Sequence, residues 1–200
     1  MAGRKCTSDR KAMILKMAGK LMWEKGFHAT SIRDIARACS FESSNIYFYF
    51  TSKEQILLQM YISETNHMID MVQHLESDTI MSPADQLHFF ITSQVTYLAH
   101  TSAMSYGLLV DAELRHLSPA NRQTVVKLRD QHEMILRRII YRGIDKGDFV
   151  ETDVKLLSIM VFSMLTKLVV WYSPQGKLTA EEIANYIYKL VANTIMKNCN

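Results

Sequence analysis

A chain of 200 residues, 48% hydrophobic and 22% charged, has the apolar material for a packed core and is too apolar to be disordered. Its length suits one large domain or a small domain ahead of a medium one. The formal net charge of +3 decides little, but residues 1–60 hold ten Lys and Arg against five acids, which fits a polyanion partner at one end or ordinary scatter of surface charge.

The pattern along the chain is a series of capped helices, with no credible run of alternating strand residues. Helix one is expected over about 8–25, because Ile14, Leu15, Ala18, Leu21 and Met22 recur on one helical face. Gly26 ends it, since glycine takes the left-handed conformation without a Cβ clash. Ser31 and Asp34 form an S-x-x-D capping box that opens a two-turn helix ending near Ala38, with Ile32, Ile35 and Ala36 inward. Cys39, Ser40 and Phe41 make a three-residue connection. A third short helix follows over about 42–49, with Phe41, Ile46 and Phe50 as apolar contacts. Tyr47, Phe48, Tyr49 and Phe50 cannot all face one core, because each is turned about 100° from the last. The expectation is that Phe50 and part of Phe48 are buried and that Tyr49 points outward.

Ser52 and Gln55 cap a long helix expected over about 53–76. Ser82-Pro83-Ala84-Asp85 starts the next, to about His100. A helix over about 103–116 is expected, then one from Ser118-Pro119 to Gly143 or Gly147, one over about 153–172, and one capped at Thr179 and reaching about Lys197. The fold class is therefore all-α, with about nine helices. The boundaries drawn are a three-helix N-terminal domain at 1–52 and a helical domain at 53–200.

Cys6, Cys39 and Cys199 lie far apart with no C-x-x-C pair, which argues for a reducing compartment and against a disulfide framework. The polar, basic first dozen residues lack the apolar run of a signal peptide. The longest apolar stretch, Leu156 to Thr166, is too short to cross a bilayer and reads as a buried helix. A cytoplasmic protein with no membrane partner is expected.

Two short helices joined by a three-residue turn make a helix-turn-helix. In that motif the first helix lies across the phosphate backbone and the second enters the major groove, which is roughly 12 Å wide. Thr30-Ser31-Ile32-Arg33-Asp34-Ile35-Ala36, Asn45 to Phe50 and Ser52-Lys53-Glu54 together resemble the signature of the TetR (TetR/AcrR) family of bacterial regulators. The similarity is close over about residues 10–60, and the whole layout of helices is similar too.

That resemblance implies a role for each matching residue. Ser31 would bond a phosphate, with Thr30 assisting. Arg33 would reach a base edge or phosphate, and Ser43, Ser44 and Asn45 would sit where the recognition helix meets bases. Tyr47 would touch a thymine methyl or a phosphate, and Tyr49 would bond a phosphate. Lys53 would pair with a phosphate and anchor the fourth helix. Arg4, Lys5, Arg10 and Lys11 would form an arm near the backbone or minor groove. The chain departs from the family pattern at Ser40, where glycine is usual, and at Glu42 and Ser43, where a Ser cap and a Lys are common; losing that Lys removes one phosphate partner, and the Glu42 charge would repel a nearby phosphate. A modest salt dependence follows.

The resemblance also implies a second domain that binds a small apolar effector and dimerises through its last two helices. Glu113 to Arg122, Gly143 to Phe149 and Trp171 to Pro174 resemble the sensor domain of regulators of fatty-acid and sterol-side-chain catabolism, which respond to acyl-CoA thioesters. Such a ligand implies an apolar tunnel, for which Phe89, Phe90, Tyr97, Met104, Tyr106, Leu109 and Met164 are candidates. Arg115, Arg122, Arg129 and Lys167 are candidate phosphate partners.

Enzymatic motifs are missing. The seven His residues are scattered, and there is no nucleophile elbow, Walker or dinucleotide glycine pattern. No metal or cofactor is expected. The reading is a ligand-responsive repressor released from a palindromic operator. Its two heads would meet half-sites roughly 34–36 Å apart, so a small hinge motion would prevent docking. The alternative is an architectural or protein-interaction member of the same fold with no inducer.

Overall fold

The computed structural model describes residues 2–100 and 111–197, with side chains from 9 to 100 and from 114 to 197. Among the described residues there are eight α-helices and no strand: α1 (Ala2–Lys25), α2 (Ile32–Ala38), α3 (Ser43–Tyr49), α4 (Lys53–Asp70), α5 (Pro83–His100), α6 (Pro119–Lys146), α7 (Val154–Trp171) and α8 (Ala180–Ile195). The chain is all-α, as its periodicity requires. It divides into two compact units, Met1–Glu64 with Ser102–Val126 and Thr65–Thr101 with Lys127–Asn200.

The first unit is built around one apolar cluster. Ile14, Ala18 and Met22 of α1 meet Ile35 and Ala36 of α2, Ile46 of α3 and Phe50, with Ile56, Leu57, Met60 and Tyr61 of α4 beneath them. Leu114, Leu117 and Val125 complete the cluster. Burying an aliphatic or aromatic side chain of this kind contributes about 1.5–3 kcal/mol. Gly26 closes α1 with φ of +83°, as expected for a left-handed C-terminal glycine. Glu42 proves to be the N-cap of α3 and makes no side-chain cap bond.

The second unit packs α5 against α7 and α8. Phe90, Ile91, Val95 and Leu98 of α5 lie in its core, with Leu136, Ile139 and Ile140 of α6, Val161, Leu165 and Leu168 of α7, and Ile183, Ile187 and Val191 of α8. Thr179 and Glu182 form a reciprocal capping box at the start of α8.

Three sequence expectations are corrected. Helix four stops at Asp70, and a separate 3-10 turn covers Gln73–Glu76. The reason is tertiary: the Arg142 guanidinium holds the carbonyls of Leu75 and Glu76 and the amide oxygen of Gln86. The region expected as a helix over 103–116 lies partly outside the described residues, and its described end, Asp111–His116, is 3-10. Helix α7 is not simply buried. It is 18 residues long with a mean hydropathy of 1.8, apolar and long enough by composition to cross a membrane, and only 33% of it is buried. Leu156, Ile159, Met160, Val170 and Trp171 are exposed on it.

Candidate nucleic-acid interface and effector groove

Helix α2 is set by its cap. The Ser31 hydroxyl accepts the Asp34 N–H at 3.1 Å and donates to Asp34 Oδ2 at 2.6 Å, while the Ser31 N–H donates to the same carboxylate oxygen at 3.0 Å. These bonds from Ser31 hold the Asp34 carboxyl below its ordinary pKa. Ser31 is exposed, but its hydroxyl must leave Asp34 to donate to a phosphate. Thr30 is fully buried, and its hydroxyl donates to the Gly26 carbonyl at 2.9 Å. It shapes the entry to α2, and the assisting phosphate role implied by resemblance does not fit it.

The turn between α2 and α3 is tight. Ser40 has φ of +56°, the left-handed region, so the position where glycine is usual in similar proteins does demand glycine's geometry. Phe41 N–H then donates to the Ala36 carbonyl at 2.8 Å, which folds the chain back for α3.

Helix α3 turns Ile46 inward with Phe50 behind it, both essentially inaccessible. Ser44 and Asn45 are exposed, and Ser43 is half-buried. Tyr47 and Phe48 are 56% and 78% exposed. Tyr49 is half-buried and packs against the apolar cluster. The expectation that Tyr49 points outward and Phe48 partly inward is therefore overturned. Helix phase explains it: at about 100° per residue, Phe48 lies about 200° from Ile46, whereas Tyr49 lies only about 60° from it on the other side. The spacing carries this signal once Ile46 is taken as the inward reference.

Lys53 keeps the anchoring role expected of it and loses the phosphate contact. Its ammonium donates to the carbonyls of Phe27, His28 and Thr30, at 2.5, 3.4 and 2.6 Å, and lies 4.3 Å from the centre of the Phe27 ring. An ammonium has three donors, and all three are used. Lys53 ties α4 to the loop ahead of α2 and has no N–H left for a phosphate. Burial pushes its pKa down.

Arg33 and Arg37 are exposed on α2, as are Glu42 and Ser44 around the start of α3. The Ser44 hydroxyl sits 3.4 Å from a Glu42 carboxylate oxygen. Of the expected arm, the side chains of Arg4 and Lys5 lie outside the described residues. Arg10 is exposed, and Lys11 donates to Gln59 at 3.4 Å. The first unit thus presents hydroxyl, amide, guanidinium and aromatic groups on two short helices whose opposite faces are locked into a core.

The second unit contains a groove of about 530 Å3 between α4 and α5. Phe89 and Tyr97 line it, with His67, Met71, Thr92 and His100 among their neighbours. Phe90, grouped with Phe89 from the sequence, faces the other way: it is fully buried and packs on His132 and Phe162 at 5.6 and 6.0 Å between ring centres. Met164 is half-buried and Lys167 exposed on α7, and neither lines this groove. Lys167 shares a face with Leu156, Met160 and Val170. Met104, Tyr106 and Leu109 lie outside the described residues. Arg115 is exposed, and Arg122 donates to the Leu114 carbonyl at 3.3 Å. Among the described residues, no group of three His, Cys, Asp or Glu side chains is placed to hold a metal.

Residues 14–60 match the family model described as bacterial regulatory proteins of the tetR family, and residues 81–195 match that of the tetracyclin repressor-like C-terminal domain. This chain belongs to the TetR family. The TetR-family regulator PfmR of Thermus thermophilus is 32% identical and superimposes with a TM-score of 0.81, covering 90% of this chain and 97% of its own. The HTH-type transcriptional repressor KstR2 of Mycolicibacterium smegmatis is 24% identical over 96% of this chain and 93% of its own. AibR, solved in complex with isovaleryl coenzyme A and operator DNA, is 19% identical with a TM-score of 0.79, covering 92% of this chain and 97% of its own, and it shares the fold. As a TetR-family member the chain is a DNA-binding transcription regulator, and α2 and α3 are its helix-turn-helix.

Proposed function

We propose that this TetR-family regulator is a homodimeric repressor, released from a palindromic operator by a small apolar effector. The observation that carries the reading is the pairing of two surfaces on separate frames. Ser31, Arg33, Ser44, Asn45 and Tyr47 project from α2 and α3, whose inner faces are buried. Exposed apolar residues run along α7 and α8, notably Leu156, Met160, Trp171, Tyr186 and Leu190.

Such an apolar face needs a cover. A second copy of the chain supplies one, and a stable interface buries about 800 Å2 per partner. Two recognition helices can then meet half-sites on one side of the duplex. Arg33 is suited to guanine O6 and N7, with Ser44, Asn45 and Tyr47 beside it, while phosphate contacts set register.

The groove between α4 and α5 is of the size that small ligands occupy, about 300–1,000 Å3. Met71, Phe89 and Tyr97 form its apolar wall, with His67 and His100 as imidazoles. An acyl-CoA thioester is the effector class favoured by likeness to AibR, which was solved with isovaleryl coenzyme A. A groove of this volume also speaks against an architectural member with no inducer. By linkage, an effector that weakens DNA binding is itself bound more weakly by the DNA complex.

The test is a mobility-shift titration on DNA flanking the protein's own gene. Arg33→Ala and Tyr47→Ala should each weaken the palindromic complex severalfold or more. Binding unchanged in both variants refutes the reading head. Thermal-shift measurements with acyl-CoAs, free fatty acids and cationic dyes test the effector class, and no stabilisation by any acyl-CoA removes that class. Met160→Arg combined with Tyr186→Arg should give monomers that no longer bind the operator.

A further inference from the structure

We propose that Phe48 selects thymine in each operator half-site by packing its ring on the 5-methyl group in the major groove. The inference rests on the reading of α2 and α3 as the surface that meets DNA.

Ile46 and Phe50 fix the inward side of α3, and Phe48 stands nearly opposite, 78% exposed. The ring is held although it is uncovered. It meets Tyr49 edge-to-face with 5.0 Å between centres and an interplanar angle of 86°. Tyr49 in turn packs against the apolar cluster of the first unit. A pre-positioned ring loses little freedom on binding.

The chemistry then narrows the partner. A phenyl ring has no hydrogen-bonding atom, so it cannot bond a phosphate or the polar edge of a base. Most groups along the major groove are hydrogen-bond donors and acceptors, and the apolar one is the thymine methyl. Cytosine lacks that methyl and offers an amino donor that a phenyl ring would leave unpaired. Ser44 lies one turn earlier on the same face of α3, so Phe48 faces the same groove as the polar residues expected to read bases. Tyr47, its neighbour, carries a hydroxyl and can serve a phosphate, which Phe48 cannot.

The experiment starts with the full-length dimer selecting its site from a random duplex library. Each thymine of the selected half-site is then replaced by deoxyuridine, which removes the methyl and keeps base pairing. The result expected is one position per half-site where uracil weakens binding about threefold to fivefold, the worth of one buried methyl group. Substitution in both half-sites should weaken it about tenfold or more. In Phe48→Ala the same uracil substitution should have no effect, while Phe48→Leu should retain part of it. Circular dichroism and thermal unfolding should match the parent in both variants, since the side chain is exposed.

A selected site with no thymine sensitive to methyl removal overturns the proposal. So does a uracil penalty that persists undiminished in Phe48→Ala. Failure of the underlying reading looks different, because then no sequence is enriched from the library.

Discussion

Glu54 Oε1 accepts the Ser118 N–H at 2.7 Å, and the same oxygen accepts the Asn121 side-chain amide at 2.7 Å. The two bonds cap the start of α6 with a carboxylate from α4, sixty-four residues away in the chain. Together with Leu114, Leu117 and Val125 in the apolar cluster, they make the beginning of α6 part of the DNA-reading unit. These bonds also hold the Glu54 carboxyl below its ordinary pKa.

Removing this cap should loosen the reading unit. Glu54→Ala is expected to cost about 1–3 kcal/mol, the range for a hydrogen bond to a charged group, and Glu54→Gln about half as much. Urea unfolding measures both. Equal stability of Glu54→Ala and parent would show that the cap contributes nothing.

Ser40 carries a conformational penalty that glycine would not, because its φ is +56°. Ser40→Gly should therefore stabilise the chain, by about 0.5–1 kcal/mol, with Ser40→Val destabilising it. Thermal denaturation of the three proteins side by side decides it. A Ser40→Gly protein that melts earlier would contradict the strain argument.

His132 is buried against Phe90 and Phe162, and burial pushes its pKa down from 6.5 to about 4. The folded state holds the neutral ring, so the unfolded state binds the proton first as pH falls. Stability is then complete above about pH 6.5 and declines between pH 6.5 and about 4. A loss of about 2 kcal/mol is expected between pH 7 and pH 5. His132→Leu should flatten that decline in denaturant titrations run across this range. An unchanged slope would assign the acid sensitivity elsewhere.

Glu42 places a carboxylate at the start of the recognition helix without capping it. Glu42→Gln is expected to tighten operator binding about twofold to fivefold at low salt, with the gain shrinking as ionic strength rises. Mobility shifts at about 50 and 200 mM salt check both the sign and the trend. Weaker binding by the variant would mean that Glu42 instead accepts from a base amino group.

Much of the reading head is legible in the sequence. The capping box at Ser31, the Ser52 hydroxyl cap (the Gln55 side chain turns to Thr51 and leaves that box half made), the glycine stop at Gly26 and the spacing of Ile14, Ala18, Ile35 and Ile46 are local signals. Each depends on helix geometry within a few residues. The anchoring role of Lys53 follows from resemblance, but its three carbonyl partners are not legible, because they lie 23 to 26 residues earlier, where no spacing rule reaches. Phe48 and Tyr49 exchange the places expected of them because four consecutive aromatics hide the inward direction of α3, which Ile46 alone defines. In the second domain, Phe89 and Phe90 are adjacent in the chain, and only packing separates the one that lines a groove from the one buried against His132.

From the linear order alone came the all-helical class, the caps and the helix-turn-helix, because backbone hydrogen bonding and side-chain periodicity act over one or two turns. Folding in three dimensions decided which polar groups remain available. The ammonium of Lys53 and the guanidinium of Arg142 are consumed by carbonyls that come near only when the helices pack. Most polar groups buried on folding take a partner from the protein, and that competition is settled by distance in space.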